Sequence, residues 1–376
     1  MRAILGSPSI QLDDLLTRIC TKLELTDTQR VLAEGRYRTI GEWLGSKDSS
    51  LEKYNPTIYA QGSLRLDTTV KPLKYEEFDL DLVCELNNFS GSAGPVETLN
   101  LIESRLRQHE TYRSMVERKN RCIRLNYSNE FHMDIMPAYP DPSKHEGCLL
   151  VPDREENDWK PSCPKGYAEW FDSRCNDRRF IEARAKLEPF PEHDDAVEKP
   201  PLKRIVQLMK RYRDIAFQNE SGDAPISVVL TTLAGYHYSG VYYVNEGIAL
   251  VLQGIYNSIP PVGRLIVNNP AHQEEDFSEK WDRKPQDYAL FKKWICEFLH
   301  EWRVLHSQVG LDNVAKNLRK MFGETVTDSA LKEHAAAIQI LRERGKLNVS
   351  TKKRSELTTM ISSGSVPIAK NTFYGE

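Results

Sequence analysis

The 376-residue sequence predicts an α+β protein in two parts, a mixed sheet with helices followed by an α-helical bundle. Three observations lead there. Between Tyr59 and Pro140, short apolar runs alternate with turn residues, and two of these runs carry acids, "FDLDLV" and "FHMDIMPAY". From Leu202 onward the apolar spacing becomes that of amphipathic helices. Between the two lies "EPFPEHDDAVEKPP", rich in proline and acid and without periodicity, as an inter-domain linker is. The expected layout is N-terminal helices over 1–52 bracing both parts, a sheet-bearing core over 53–190, a linker over 191–201, a helical domain over 202–349 and a flexible tail over 350–376.

The elements follow in order. Leu12, Leu15, Leu16 and Ile19, then Val31, Leu32, Tyr37, Ile40 and Leu44, repeat at helical spacing. Thr26 followed by Gln29 forms a capping box between these two helices. Gln61-Gly62-Ser63 reads as a tight turn into a short helix. A strand over Phe78–Leu86 comes next, then a helix from about Pro95 to Gln108. "RCIRLNY", the turn "SNE" and "FHMDIMPAY" form a hairpin, and "PKGYAEWF" is a turn plus the start of an aromatic helix. In the second part, "LKRIVQLMKRYRDIAF" turns Leu202, Ile205, Val206 and Met209 inward. An apolar helix starts near Pro225, and further helices lie at about 287–299, 312–322 and 328–344.

Bulk properties exclude several classes. A net charge of −3 gives no general attraction to nucleic acid or anionic membrane, so no stable nucleic-acid partner is expected. No apolar run approaches the ~20 residues of a membrane span, and the N-terminus lacks a signal-peptide core. Seven cysteines without a C-x-x-C pair fit a reducing cytoplasm. His145, Cys148, Cys163 and Cys175 could in principle hold zinc, but their irregular spacing matches no compact template, so scattered thiols are the expectation.

The acids in the strands carry the chemistry. Strand residues i and i+2 share a face, so Asp79 and Asp81 project together while Phe78, Leu80 and Leu82 point into a core. Two adjacent carboxylates repel unless a cation sits between them, and hard divalent cations prefer such oxygens. Asp134, set between Met133 and Ile135, is a candidate third ligand if its strand lies beside the first.

The ordered set "QGSLRLDTTV…FDLDLV", "FHMDIMPAYP", "PKGYAEWF" and "LKRIVQLMKRYRD…PISVVLTTL" resembles the bacterial cGAS/DncV-like nucleotidyltransferases (CD-NTases) of CBASS antiphage operons, within the polymerase-β-like nucleotidyltransferase superfamily. The resemblance spans roughly residues 55–235. It implies a polymerase-β-like core with the nucleotide in the cleft beside the helical domain. It also implies a template-independent synthase that joins NTPs, ATP among them, into a cyclic di- or trinucleotide acting on a separate effector. Two Mg²⁺ ions, with Mn²⁺ as a substitute, would be held by Asp79, Asp81 and Asp134, and Asp134 would also accept the proton of the attacking hydroxyl. Gln61, Gly62, Ser63, Lys210 and Ser227 would bind the triphosphate, with Arg211 the neighbouring cation. The tail "NTFYG" resembles family members conjugated through a terminal glycine by a ubiquitin-activating-and-conjugating-like ligase, although here Glu376 follows Gly375. The alternatives are a transferase modifying RNA or protein and a catalytically idle nucleotide-binding module.

Overall fold

The computed structural model describes residues 8–73, 78–91, 93–127, 131–175, 199–345, 348–350, 357–358 and 365–368. Helices α1 (Pro8–Leu23) and α2 (Asp27–Gly45) come first. Thr26 caps α2: its hydroxyl accepts from the Gln29 amide, and the Gln29 side chain accepts from the Thr26 amide. Strand β1 (Pro56–Gln61), the single turn α3 (Gly62–Arg65), β2 (Phe78–Leu86), α4 (Pro95–Gln108), β3 (Val116–Arg118), β4 (Ile123–Tyr127) and β5 (Phe131–Pro140) follow. The strands run in the order β1-β2-β5-β4-β3. The central pair β2·β5 is parallel, and β1·β2 and β4·β5 are antiparallel. At its end β5 leaves β4 and pairs through Tyr139 and Pro140 with β6 (Leu149–Asp153), which pairs in turn with β7 (Asp158–Ser162).

One face of this sheet is packed by α2 and α4. Tyr37, Ile40, Leu99 and Ile102 meet Leu80, Leu82, Met133 and Ile135 there, all buried. The central strands must therefore be apolar on that face, and any acid they carry must look the other way.

Helix α5 (Pro164–Arg174) leads to the second part: α6 (Pro201–Ala216), α7 (Ser227–His237), α8 (Val244–Ser258), the hairpin β8 (Asn268–Asn269) and β9 (His272–Asp276), the short α9 (Lys280–Arg283), α10 (Pro285–Ser307), α11 (Leu311–Phe322) and α12 (Glu324–Glu343). Its core joins Met209, Leu230, Ile248, Phe298 and Trp302 to Leu16 and Ile19 of α1 and Phe171 of α5. Thus α1 packs with the helical part and α2 with the sheet, so the first two helices touch both cores.

Three features depart from the sequence reading. The hairpin β8·β9 interrupts the helices. Part of the expected tail is ordered: β10 (Asn348–Ser350) pairs with β11 (Leu357–Thr358) and β12 (Ser365–Pro367). Gly375 and "NTFYG" lie outside the described residues, as does most of the expected linker. The linker's last residues are packed, however. Lys199 is 1% exposed, and its ammonium pairs with Glu24 at 3.0 Å and Asp67 at 3.2 Å. A lysine so buried must be compensated by acids, which ties the end of α1, the loop after α3 and the start of α6 into one ionic knot.

Helix α6 extends this tie by donating to three carbonyls of the loop after α3. The Lys210 ammonium donates to the Thr68 carbonyl at 3.0 Å, the Gln207 amide to Thr69 at 3.1 Å and the Arg211 guanidinium to Lys71 at 2.6 Å. Irregular backbone needs external partners, and here α6 supplies them. The same bonds fix how the helical part meets the sheet.

Candidate active site

The register of the sheet assembles the site. Gln61 on β1 lies opposite Asp81 on β2, Asp81 opposite Asp134 on β5, and Asp134 opposite Arg124 on β4. Residues directly opposite on neighbouring strands share a face. One row across four strands therefore reads Gln61–Asp81–Asp134–Arg124, on the side away from α2 and α4. Asp79 is exposed two residues before Asp81, whereas Phe78, Leu80 and Leu82 are buried, the alternation the D-x-D pattern requires.

The chain turns tightly at the head of this row. Gly62 has φ +61°, and a Cβ built there would lie 2.2 Å from Oδ2 of Asp81. No side chain fits between the turn and the carboxylate, so glycine is required both by conformation and by contact. Ser63 follows, its hydroxyl accepting from Thr69 at 3.2 Å.

Like charges crowd the row. Burial pushes the Asp81 carboxyl up to about 7, and the charges of Asp134 and Asp79 add to this, while Lys210 and Arg124 oppose it. Arg124 supplies local compensation. Its guanidinium holds Asp134 through two bonds, at 2.7 and 2.8 Å, and reaches Asp79 at 3.3 Å. The bonds to Asp134 raise the Arg124 pKa above its ordinary value, so it stays charged. Three carboxylates with hard oxygen donors, one of them unwilling to ionise beside the others, fit a divalent cation of the Mg²⁺ kind.

If the guanidinium occupies the place of a cation, its removal should make the fold metal-dependent. Arg124→Gln is expected to lower the melting temperature in EDTA and to recover much of the loss in millimolar Mg²⁺. The gap between the two melts should be wider than in the unsubstituted protein. Equal gaps in differential scanning fluorimetry would mean that Arg124 does not stand in for a cation.

Opposite the acids, α6 and α7 close a cavity of about 470 Å³ that Gln61, Ser63, Asp79, Asp81, Lys210 and Ser227 all line. Lys210 is 4% exposed; its ammonium donates to the carbonyl and hydroxyl of Thr68, each at 3.0 Å. Burial lowers the Lys210 pKa to about 7, the Arg213 charge adds to this, and Asp214 and Asp81 pull the other way. Its neighbour Arg211 points to the Lys71 carbonyl instead, which settles which of the two cations faces the cavity. Ser227 is the first residue of α7, and its hydroxyl accepts from Arg213 at 2.9 Å.

Sequence reading missed four residues here. Arg124 was legible in principle: counting back from the "SNE" turn pairs Tyr127 with Phe131 and hence Arg124 with Asp134. Arg213 sits three residues beyond Lys210 on α6 and lines the cavity, bonded to Ser227 and Asp214. Asn269 and Glu275 reach the cavity wall from the hairpin β8·β9, with no sequence signal. The Glu275 carboxylate accepts from Ser162 at 3.0 Å, the Cys163 amide at 3.0 Å and Asn269 at 2.6 Å, which locks the hairpin to the end of β7 and the start of α5. Burial raises the Glu275 pKa despite these donors.

Residues 10–175 match the Second Messenger Oligonucleotide or Dinucleotide Synthetase domain. The chain is 31% identical to a c-di-GMP synthase of Roseivirga ehrenbergii, over 99% of this chain and 100% of that one. It is 24% identical to the cyclic dinucleotide synthase CdnG of Bradyrhizobium diazoefficiens, over 85% of this chain and 82% of that one. The solved structure of CdnG in complex with GTP superposes with a TM-score of 0.70 at 22% identity, covering 86% of this chain and 98% of that one. Apo DncV of Vibrio cholerae gives 0.60 at 15%, covering 85% and 97%. These two share the fold: the mixed sheet and its helices have the polymerase-β-like fold. With an acid row, a glycine turn and a cationic wall on that fold, the chain belongs to the CD-NTase family and is a nucleotidyltransferase that synthesises cyclic oligonucleotides.

Proposed function

We propose that this protein condenses two GTP molecules into a cyclic dinucleotide, without a template and with release of pyrophosphate at each step. The observation that carries the reading is the register pair Asp81–Asp134 beside the Gly62 turn, with Asp81 facing Lys210 and Ser227 across one cavity. GTP is preferred to the ATP that the sequence resemblance suggested, because the two relatives are named for a guanine product and for GTP binding.

Two Mg²⁺ ions, replaceable by Mn²⁺ and held by Asp79, Asp81 and Asp134, would supply charge neutralisation at the attacking and leaving oxygens. The chain does the rest. Lys210, Ser63 and Ser227 bind the donor triphosphate, with Gln61 beside it, and Arg213 orients Ser227. Asp134 accepts the proton of the attacking ribose hydroxyl as the new bond to the α-phosphorus forms and the bond to the pyrophosphate oxygen breaks. A second transfer in the same site closes the ring. The product would act on a separate effector in antiphage defence, and a ligase would conjugate the tail through the Gly375 carboxyl once hydrolysis of the Gly375–Glu376 peptide bond has released Glu376.

The test is incubation with each NTP alone and with all four, in Mg²⁺ and in Mn²⁺, followed by phosphatase treatment and mass spectrometry. A phosphatase-resistant cyclic diguanylate, absent from the Asp79→Ala/Asp81→Ala variant, is the expected result. Labelled polymer or labelled protein would favour the RNA- or protein-modifying alternative. Nucleotide binding without product would favour an idle module.

A further inference from the structure

A second cluster lies outside the nucleotide cavity. His145 and Cys148 stand on the turn before β6, and Cys163 immediately precedes α5. The two Sγ atoms are 2.8 Å apart, and His145 Nδ1 is 3.2 Å from Cys148 Sγ. The three ligand atoms lie within 4.8 Å of one another; both cysteines are buried and His145 is exposed. The scattered-thiol expectation is thereby corrected for three of the four residues, since the strand pairing β5·β6·β7 brings 148 and 163 together. Cys175 ends α5 and packs in the helical core instead.

The hairpin β8·β9 supplies an independent observation. His272 is 5% exposed, yet neither ring nitrogen has a hydrogen-bond partner. A buried imidazole without partners is costly. The hairpin packs beside the residues that carry the cluster, with the His272 ring outside the 4.8 Å group. A Cβ built on Gly166 would lie 2.8 Å from Cβ of Ala271, the preceding residue, and 2.9 Å from Sγ of Cys163. Glu274, two residues on and therefore on the same face of β9, pairs at 2.9 Å with Lys144, the residue before His145.

We propose that His145, Cys148 and Cys163 form a structural zinc site, with His272 turning in from β9 as the fourth ligand when the ion binds. Two thiolates with imidazoles are the donor set that borderline-soft Zn²⁺ takes in tetrahedral geometry, and four protein ligands make the site closed and non-catalytic. The two thiols lose their protons to solvent as the Zn–S bonds form. The site ties the β5–β6 turn, the start of α5 and the hairpin that brings Asn269 and Glu275 to the cavity wall. The ion would thus brace that wall without touching nucleotide.

The full-length protein, purified without chelator, is expected to carry about one zinc per chain. Exchange with Co²⁺ should give a thiolate-to-cobalt charge-transfer band and the intense visible bands of a tetrahedral centre, signals to which the carboxylate site is blind. Chelation should expose two additional thiols to a thiol reagent. In zinc titration of the stripped protein, His272→Gln should weaken binding more than about tenfold, as even outer-shell changes do. A Cys148→Ser variant that folds should lose the cobalt spectrum; if it does not fold, the unsubstituted protein's spectrum and thiol count decide. A metal-free protein with a weak octahedral cobalt spectrum, or a Cys148–Cys163 disulfide in peptide mapping, overturns the proposal. Unchanged zinc affinity in His272→Gln removes the fourth ligand and with it the closed site.

Discussion

Asp81→Asn is expected to reduce cyclic dinucleotide formation by at least about 10³-fold, because losing one carboxylate from a metal clamp forfeits several kcal/mol of transition-state stabilisation. The fold should not suffer. Burial, Asp134 and Asp79 together raise the Asp81 carboxyl from its ordinary 3.8 to about 7, so the fold holds this anion reluctantly. A carboxyl raised in the folded state costs nothing below its unfolded value. The cost grows as pH rises and is complete above about 7. In EDTA, the melting temperature of the unsubstituted protein should therefore carry a downward component between about pH 4 and 7 that Asp81→Asn lacks. The variant should melt higher than the parent at pH 8. A variant that is inactive and also melts lower at pH 8 would mean that Asp81 is structural.

Lys210→Met is expected to lower kcat/KM for GTP by about 10²-fold, mostly through KM, the scale of removing one partner from a buried charge contact. Proton uptake gives a sharper readout. Burial and Arg213 bring the ammonium down to about 7, so it changes protonation near neutral pH before nucleotide arrives. A triphosphate beside it favours the charged form. Binding of a non-hydrolysable GTP analogue to Mg²⁺-saturated protein near pH 7 should therefore be accompanied by proton uptake. Calorimetry in buffers of different ionisation enthalpy measures this, and Lys210→Met should abolish it. Binding enthalpy independent of buffer in the unsubstituted protein would show that Lys210 does not face the phosphates.

Much of the site was legible because strand geometry is short-range. The i, i+2 rule put Asp79 and Asp81 on one face, and the "SNE" turn fixed the hairpin that carries Asp134. The helix over 95–108 was bounded by Pro95 at its first position and appears with those limits. The glycine at 62 announced a turn, but only the folded chain shows that its hydrogen faces the Asp81 carboxylate. Arg124 was overlooked because an arginine in a strand reads as a wet-face residue until its cross-strand partner is known. Lys199 was read as linker because composition does not report a pair of acids converging from Glu24 and Asp67.

The sequence by itself determined the periodicities, and with them the α+β class, the acid-bearing strands and the helical second part, since these depend on neighbours a few residues apart. The tertiary structure alone decided that β2 and β5 run side by side with Asp81 opposite Asp134, that Lys210 rather than Arg211 faces the cavity, and that the hairpin at 268–276 forms its wall. It also gathered His145, Cys148 and Cys163 from irregular spacings. Each of these depends on contacts between residues distant in the chain, set by strand pairing and by the bonds from α6 to the loop after α3. No local pattern encodes them.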